Sequence, residues 1–257
     1  RLKANKQVLC IVNTRREAME LYQSIGSVEG HFHLSTFMCA DHRTTIFKRI
    51  RERLSSGALC RVVSTQLIEA GVDVDFPVVF RAEAGIDSIA QAAGRCNREG
   101  KLAEGGRVFV VHFENRPPSG ILRQSADEGN KAIQLHQEDI LSLNAVNDYF
   151  KSFYWKRDGA NELDRHKIIQ LLNEDVNPNL NFPFRKVFSN YCLIESNTLS
   201  VIIPWREGKK ICDQLKTSKY PDRYLLRKLQ RYIVQVRKEV FNELWTAGVL
   251  NDLFGDK

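Results

Sequence analysis

The sequence predicts an α/β fold, in which a parallel sheet is flanked by helices, followed by a smaller α+β domain. In the first half, short apolar runs alternate with amphipathic stretches, which is typical of βαβ units. Runs of this kind are typical of strands that are buried on both faces. The pattern changes after residues 116–120 (RPPSG), which are a turn signal. We therefore predict one domain over residues 1–125 and another over residues 126–257, since 257 residues suffice for two cores.

The elements of the first domain follow from local patterns. Residues 8–12 (VLCIV) are typical of a buried strand, and Thr14 can cap the helix that follows. A second helix is predicted over residues 42–54, because Ile46, Ile50 and Leu54 recur at a fourfold spacing. A third helix is predicted over residues 88–96. The remaining predicted strands cover residues 31–34, 59–64, 78–81 and 107–111.

The second domain is predicted to mix helices with a short hairpin. Residues 127–156 and 162–172 favour helices, and an Asn- and Pro-rich stretch at 173–183 interrupts the pattern. Two alternating runs around Asn197 predict a hairpin of residues 187–195 with residues 199–204. Further helices are predicted over residues 208–216 and 222–229, and a strand over residues 233–236.

Composition restricts the class of protein but does not indicate a function. The net charge of +7 and the pI of about 9.1 suit a polyanionic partner, although a solvated basic surface would look the same. The six cysteines include no C-x-x-C pair, so we expect buried free thiols and no zinc site. No apolar run approaches the ~18 residues of a membrane span, and no signal peptide opens the chain. We expect a cytoplasmic protein, and the start at Arg1 predicts a fragment or a processed product.

Two motifs carry the chemistry. Residues 91–98 (QAAGRCNR) have the form Q-x-x-G-R-x-x-R near a predicted helix, where Arg95 and Arg98 would share a face and bind one anion such as a γ-phosphate. A solvated basic helix end is the alternative.

Residues 64–74 (STQLIEAGVDV) follow a predicted strand, so their hydroxyls and amides could hold a nucleic-acid phosphate, with Asp73 placed for a ribose hydroxyl. A capped turn is the alternative there.

The order and spacing of these segments resemble motifs V and VI of superfamily 2 helicases. Residues 64–81, 87–100 and 33–43 further resemble the helicase-nuclease family of type I CRISPR systems, with subtype I-C as the nearest form. The resemblance is specific over residues 1–115 and looser over residues 126–257, where residues 220–236 are similar to the accessory domain of the family. It implies a RecA-like second motor lobe followed by that accessory domain.

The resemblance also implies roles for individual residues. Gln91, Arg95 and Arg98 would face the γ-phosphate of ATP as catalytic groups, and Gly71 and Asp73 would approach the ribose. The positions that match residues near the translocated DNA strand are Thr14, Arg15, Ser35, Thr36, Arg43, Thr65 and Gln66.

The resemblance implies partners and cofactors as well. We expect ATP with Mg²⁺, single-stranded DNA and the RNA-guided surveillance complex of the CRISPR system as partners, with a phage-encoded inhibitor as a further partner and no membrane. The chain has no phosphate-loop motif and no acidic box, so a preceding lobe would supply them, and we expect no metal bound by this chain. The alternatives are another superfamily 2 translocase, such as a restriction translocase, or a non-catalytic module that binds DNA or a protein.

Overall fold

The computed structural model describes residues 1–159, 163–174, 182–191, 197–218 and 222–253. Five parallel strands form one sheet in the order β2-β3-β1-β4-β5, which confirms the predicted α/β class. The strands are β1 (Gln7–Ile11), β2 (His31–Leu34), β3 (Cys60–Ser64), β4 (Val78–Ala82) and β5 (Arg107–Val111). Helices α1 (Arg15–Ile25), α2 (Ala40–Ser55) and α3 (Ile86–Ala93) connect them, together with a short 3₁₀ turn, Gln66–Ile68.

Both faces of the sheet are buried, which explains the continuous apolar runs in the sequence. Along β1, Leu9 and Ile11 pack into a core with residues of α2 and α3. Val8 and Cys10 point the opposite way, into a second core with α1. Successive side chains of a strand alternate between faces, so a strand between two helical layers is apolar at most positions.

The remaining helices and strands follow in the second half of the chain. They are α4 (Ile121–Leu135), α5 (Leu143–Gly159), α6 (Ile168–Glu174), α7 (Phe184–Asn190), β6 (Thr198–Ile202), α8 (Glu207–Thr217), α9 (Arg223–Leu229), β7 (Ile233–Arg237) and α10 (Lys238–Thr246). Strands β6 and β7 pair antiparallel, with Thr198 opposite Arg237 and Ile202 opposite Ile233. None of the described helices is long and apolar enough to cross a membrane.

Several predicted elements of the second half are wrong. The helical stretch of residues 127–156 is two helices, α4 and α5, and the helix predicted over residues 162–172 begins at Ile168. The predicted hairpin does not form, because Val187 lies in helix α7 and β6 pairs with β7. A local alternation of apolar residues shows that a segment suits a strand, but it does not show which strand is the partner. Residues 192–196 and most of the 173–183 stretch lie outside the described residues.

The chain forms two compact units. One consists of Arg1–Asn130 together with Thr198–Lys257, and the other of Lys131–Asn197. Within the first unit, Leu215, Leu229 and Val236 form a core that also contains Cys39 from the start of α2. The predicted division at residues 125 and 126 stays a prediction, because a shared core does not test whether either segment folds alone.

Candidate nucleotide and nucleic-acid sites

The residues predicted to lie near a DNA strand meet at one edge of the sheet. Strands β2, β3 and β1 are neighbours and run parallel, so their carboxyl ends share an edge. Thr14 and Arg15 follow β1, Ser35 and Thr36 follow β2, and Thr65 follows β3. Gln66 begins the 3₁₀ turn after β3, and Arg43 lies in the first turns of α2. This is the edge at which open α/β sheets bind ligands.

Thr14 caps helix α1, as the sequence predicts. Its hydroxyl accepts a hydrogen bond from the backbone N–H of Glu17 at 3.1 Å. The Glu17 carboxylate in turn accepts from the backbone N–H of Thr14 at 3.0 Å, which completes a capping box. The cap fixes the first turn of α1 and therefore the position of Arg15 on the edge.

The other residues of this edge differ in how accessible they are. Thr36 is exposed and Arg15 is half-buried, whereas Ser35 and Thr65 are buried. The hydroxyl of Ser35 accepts a hydrogen bond from the N–H of Phe37 at 3.4 Å. Arg43 and Gln66 are half-buried. The accessible polar groups of the edge are therefore mainly those of Arg15, Thr36, Arg43 and Gln66.

The residues predicted to face ATP lie at the opposite edge. Helix α3 starts after the carboxyl end of β4 and runs back toward the amino end of that strand, where Cys96 bridges to Phe76. The helix ends at Ala93, before the two arginines, so the prediction that Arg95 and Arg98 share a helical face is wrong. Gly94 closes the helix, and the chain then turns away from the helical axis.

The two arginines bind different parts of the segment that precedes β4. The guanidinium of Arg95 donates to the backbone carbonyls of Ile68 at 3.1 Å and Glu69 at 2.7 Å. Arg98 forms an ion pair with Asp73 through Nη1. Its backbone N–H donates to Asp75 Oδ1 at 2.8 Å. Both contacts of Arg98 are exposed, so its guanidinium can exchange Asp73 for another anion at small cost.

Gly71 and Gln91 border the same region. Gly71 has a φ of +70° with open space where a side chain would lie, so its conformation favours glycine even though no atom crowds it. Gln91 is an exposed residue of α3, one turn before Arg95. The structure therefore places Arg98 against Asp73 and Arg95 against Ile68 and Glu69, while Gly71 and Gln91 are close to these residues along the chain.

A buried ion pair holds the segment that joins the two edges. Nε of Arg81, at the carboxyl end of β4, lies 2.7 Å from Oε1 of Glu69, and both side chains are almost completely buried. Burial raises the pKa of Glu69 and lowers that of Arg81, and the charge of each partner opposes the shift.

Asn13 and Glu83 extend this polar network toward β1 and β5. Arg81 Nη1 donates to Asn13 Oδ1 at 2.7 Å, and the Asn13 amide donates to the carbonyl of Glu83 at 2.8 Å. The Glu83 carboxylate lies 2.8 Å from Nδ1 of His112 and accepts from Asn130 at 3.1 Å. Glu69 and Glu83 are thus held in place by partners, as expected for carboxylates that do not act as acid–base catalysts.

Sequence reasoning missed Arg81 and Asp75. An arginine at the end of the apolar strand VVFR is a detectable signal, because a charge in a buried strand needs a partner. Asp75 carries no comparable signal, since it is an ordinary loop residue until the fold is known. Within the described residues, no group of three or more His, Cys, Asp or Glu side chains is placed to hold a metal ion.

Comparison with known proteins shows what this chain is similar to. Residues 4–101 match the family model described as "CRISPR-associated nuclease/helicase Cas3, C-terminal". A "CRISPR-associated nuclease/helicase Cas3" of Haloferax volcanii is 54% identical over a match that covers 35% of this chain and 12% of the relative. The first part of this chain is therefore similar to the C-terminal region of Cas3 proteins. The chain spans only a small part of the length of that relative.

Solved Cas3 structures share the fold of this chain. The crystal structure of T. fusca Cas3-ATP has a TM-score of 0.62 at 17% identity, and the match covers 90% of this chain and 32% of that one. A structure titled "CRISPR RNA-guided surveillance complex, pre-nicking" has a TM-score of 0.54 at 17% identity, with 90% and 33% covered. These likenesses confirm the RecA-like α/β architecture. The predicted subtype I-C stays a prediction.

Proposed function

We propose that this chain is the second motor lobe of an ATP-dependent helicase-nuclease that translocates on single-stranded DNA in CRISPR antiviral defence. The observation that carries the proposal is that one continuous segment joins its two candidate sites. Residues 64–76 leave the carboxyl end of β3, beside the predicted DNA contacts, and reach the amino end of β4, beside Arg98. Both Arg95 and Arg81 bind this segment at Glu69.

The nucleotide half of the proposal rests on the edge that carries Arg98. Its guanidinium is exposed and always charged, and among the described residues it pairs with Asp73, so it is available as an arginine finger for the γ-phosphate. On the approach of ATP, Asp73 would release Arg98 and turn to the ribose. Arg95 would act mainly by holding the backbone of Ile68 and Glu69, and Gln91 would line the approach.

The nucleic-acid half rests on the opposite edge. Arg15, Arg43, Thr36 and Gln66 present donors next to the carboxyl ends of three neighbouring strands. Donors of this kind bind backbone phosphates without reading sequence, as a translocating motor requires. Ser35 and Thr65 are buried, so their contribution would come from small exposed surfaces or from the backbone around them.

The proposal includes the cofactor and partners of the whole protein. ATP with Mg²⁺ would bind between this lobe and another lobe that supplies the phosphate loop and the metal ligands. The RNA-guided surveillance complex is the proposed partner, in line with the surveillance-complex structure that shares this fold. A phage-encoded inhibitor is a further proposed partner. The family model that matches residues 4–101 favours a CRISPR helicase-nuclease over a restriction translocase.

The test is substitution of Arg98 in the intact protein. We expect Arg98→Ala to lower DNA-stimulated ATP hydrolysis by about 10³-fold, at the lower end of the range for arginine fingers, and to leave single-stranded DNA binding nearly unchanged. Lys101→Ala is the matched control, since Lys101 is an exposed cation nearby that pairs with Glu99. Near-normal turnover of Arg98→Ala at saturating ATP would refute the proposed role.

A further inference from the structure

The turn between β2 and α2 presents a phenylalanine at the edge that carries the candidate nucleic-acid contacts. The backbone N–H of Met38 donates to the carbonyl of Ser35 at 3.1 Å, and the N–H of Phe37 donates to the Ser35 hydroxyl at 3.4 Å. Met38 packs against one of the two cores of the sheet, whereas Phe37 is 48% exposed. The turn is therefore tied down, while about half of the Phe37 surface stays accessible to a ligand.

The start of α2 holds the far end of this turn. Cys39 is buried in one core with residues of α8, α9 and β7. One turn into the helix, the ring of His42 stacks on that of Trp205, with centroids 4.1 Å apart. The backbone that carries Phe37 therefore lies between β2 and a helical start that tertiary packing fixes in place.

Arg15 stacks on the ring of Phe37. Its guanidinium carbon lies 3.9 Å from the ring centroid. Arg15 is the first residue of α1, and the capping box of Thr14 fixes that turn. A guanidinium stacked on a ring keeps its N–H groups in its own plane, where they can bind an anion. The pair combines an anion-binding group with an accessible aromatic surface, on two segments that the fold holds independently.

This combination matches the chemistry of a nucleotide. Single-stranded nucleic acid presents phosphates beside unpaired bases, and proteins that track it place basic groups next to aromatic rings on which bases stack. An apolar protein partner would instead favour a wider patch of exposed apolar side chains. The residue before Phe37 is the exposed Thr36, and Arg43 lies on the helix that follows, so polar donors border the ring.

We infer that the ring of Phe37 stacks on a nucleobase of single-stranded DNA while Arg15, packed on the same ring, binds a neighbouring phosphate. The inference rests on the nucleic-acid function proposed above and deepens it, because it adds a base contact to an edge that otherwise offers donors for phosphates. Every base has a π face, so the contact tolerates any sequence, as translocation requires.

The test compares two fluorescein-labelled strands of equal length by anisotropy, one of thymidines and one of abasic sugars with the same number of phosphates. We expect the parent chain to bind the thymidine strand about five- to tenfold more tightly, at the lower end of the range for stacking of a base on an aromatic ring. Phe37→Ala should bind the two strands equally. Its log–log salt slope should stay unchanged, whereas Arg15→Ala should flatten the slope by about 0.7, the value per phosphate contact.

Matched variants separate stacking from a general effect of losing the side chain. Phe37→Tyr keeps the ring and should keep the preference for the thymidine strand. Phe37→Leu keeps an apolar side chain without a π face and should lose the preference, at an unchanged melting temperature, because the site is about half exposed. Phe188→Ala removes an exposed phenylalanine of α7 and should bind both strands like the parent chain.

The outcomes distinguish this inference from the function on which it rests. Equal binding of the two strands by the parent chain, or an unchanged preference in Phe37→Ala, would overturn the base contact and leave the proposed function intact. A lower melting temperature of Phe37→Leu, together with weaker binding of both strands, would assign Phe37 a structural role and reject the inference. If the parent chain bound neither strand, both the inference and the proposed nucleic-acid function would fail.

Discussion

Arg95 and Arg98 share a motif but have different surroundings. Arg95 is half-buried and donates to two backbone carbonyls, whereas Arg98 is exposed and forms one surface ion pair. The spacing in the sequence suggests equivalent side chains on one helix. Because the helix ends at Ala93, the two arginines do not lie on one helical face. Arg95 fixes the local backbone, whereas Arg98 stays accessible.

This difference predicts different effects on stability. Arg95→Ala should lower the free energy of unfolding by about 2 kcal/mol, because it removes charged hydrogen bonds to the carbonyls of Ile68 and Glu69 and leaves these partly buried. Arg98→Ala should change it by less than about 1 kcal/mol, since exposed ion pairs contribute little. Urea unfolding followed by circular dichroism measures both. Equal losses in the two variants would contradict the division of roles.

The segment between β3 and β4 depends on the buried pair of Arg81 and Glu69. The pair lies where the chain leaves the edge with the candidate DNA contacts and turns toward the edge that carries Arg98. A buried charge without its partner is costly, whereas removal of both charges can be nearly neutral. The pair therefore holds residues 64–76 in position. Because this segment connects the two edges, we expect a shift at one edge to reach the other through it.

A double-mutant cycle tests this element. Arg81→Met should destabilise the chain by about 3–5 kcal/mol, because it leaves the Glu69 carboxylate buried and unpaired. Glu69→Leu should also destabilise it, because it leaves the Arg81 guanidinium buried without its carboxylate. The double variant Arg81→Met with Glu69→Leu should be more stable than Arg81→Met alone.

The raised pKa of Glu69 gives the sign of a pH effect. In Arg81→Met the attraction that opposed the burial shift is gone, so the pKa of Glu69 rises further. The folded state then binds a proton more tightly than the unfolded state, and Arg81→Met should gain stability as the pH falls toward the ordinary pKa of Glu. A loss of stability in Arg81→Met that did not depend on pH would contradict an unpaired buried carboxylate.

At the scale of the whole chain, the sequence predicts the first half well and the second half poorly. The strand at residues 107–111 and the Thr14 cap are confirmed, because buried parallel strands and caps are set by local patterns. The β6–β7 pairing depends on partners 35 residues apart, as for Ser200 and Gln235, which no local pattern specifies. The candidate site follows the same rule, since the motifs are recognisable in the sequence, whereas the contacts of Arg81 with Glu69 and Asn13 arise from tertiary packing.

The last prediction concerns catalysis by the chain alone. The sequence contains no phosphate-loop motif and no acidic box, and in the proposed function Arg98 acts on a phosphate that another lobe holds. We therefore expect no ATP hydrolysis by this chain, with or without single-stranded DNA, although the DNA should bind with a salt slope of about −2 to −4, as few phosphate contacts imply. Phosphate release measured beside the intact protein provides the comparison. Two results together would refute the role of this lobe as half of an ATPase site. They are ATP turnover by this chain that survives repurification, and loss of that turnover in Arg98→Ala.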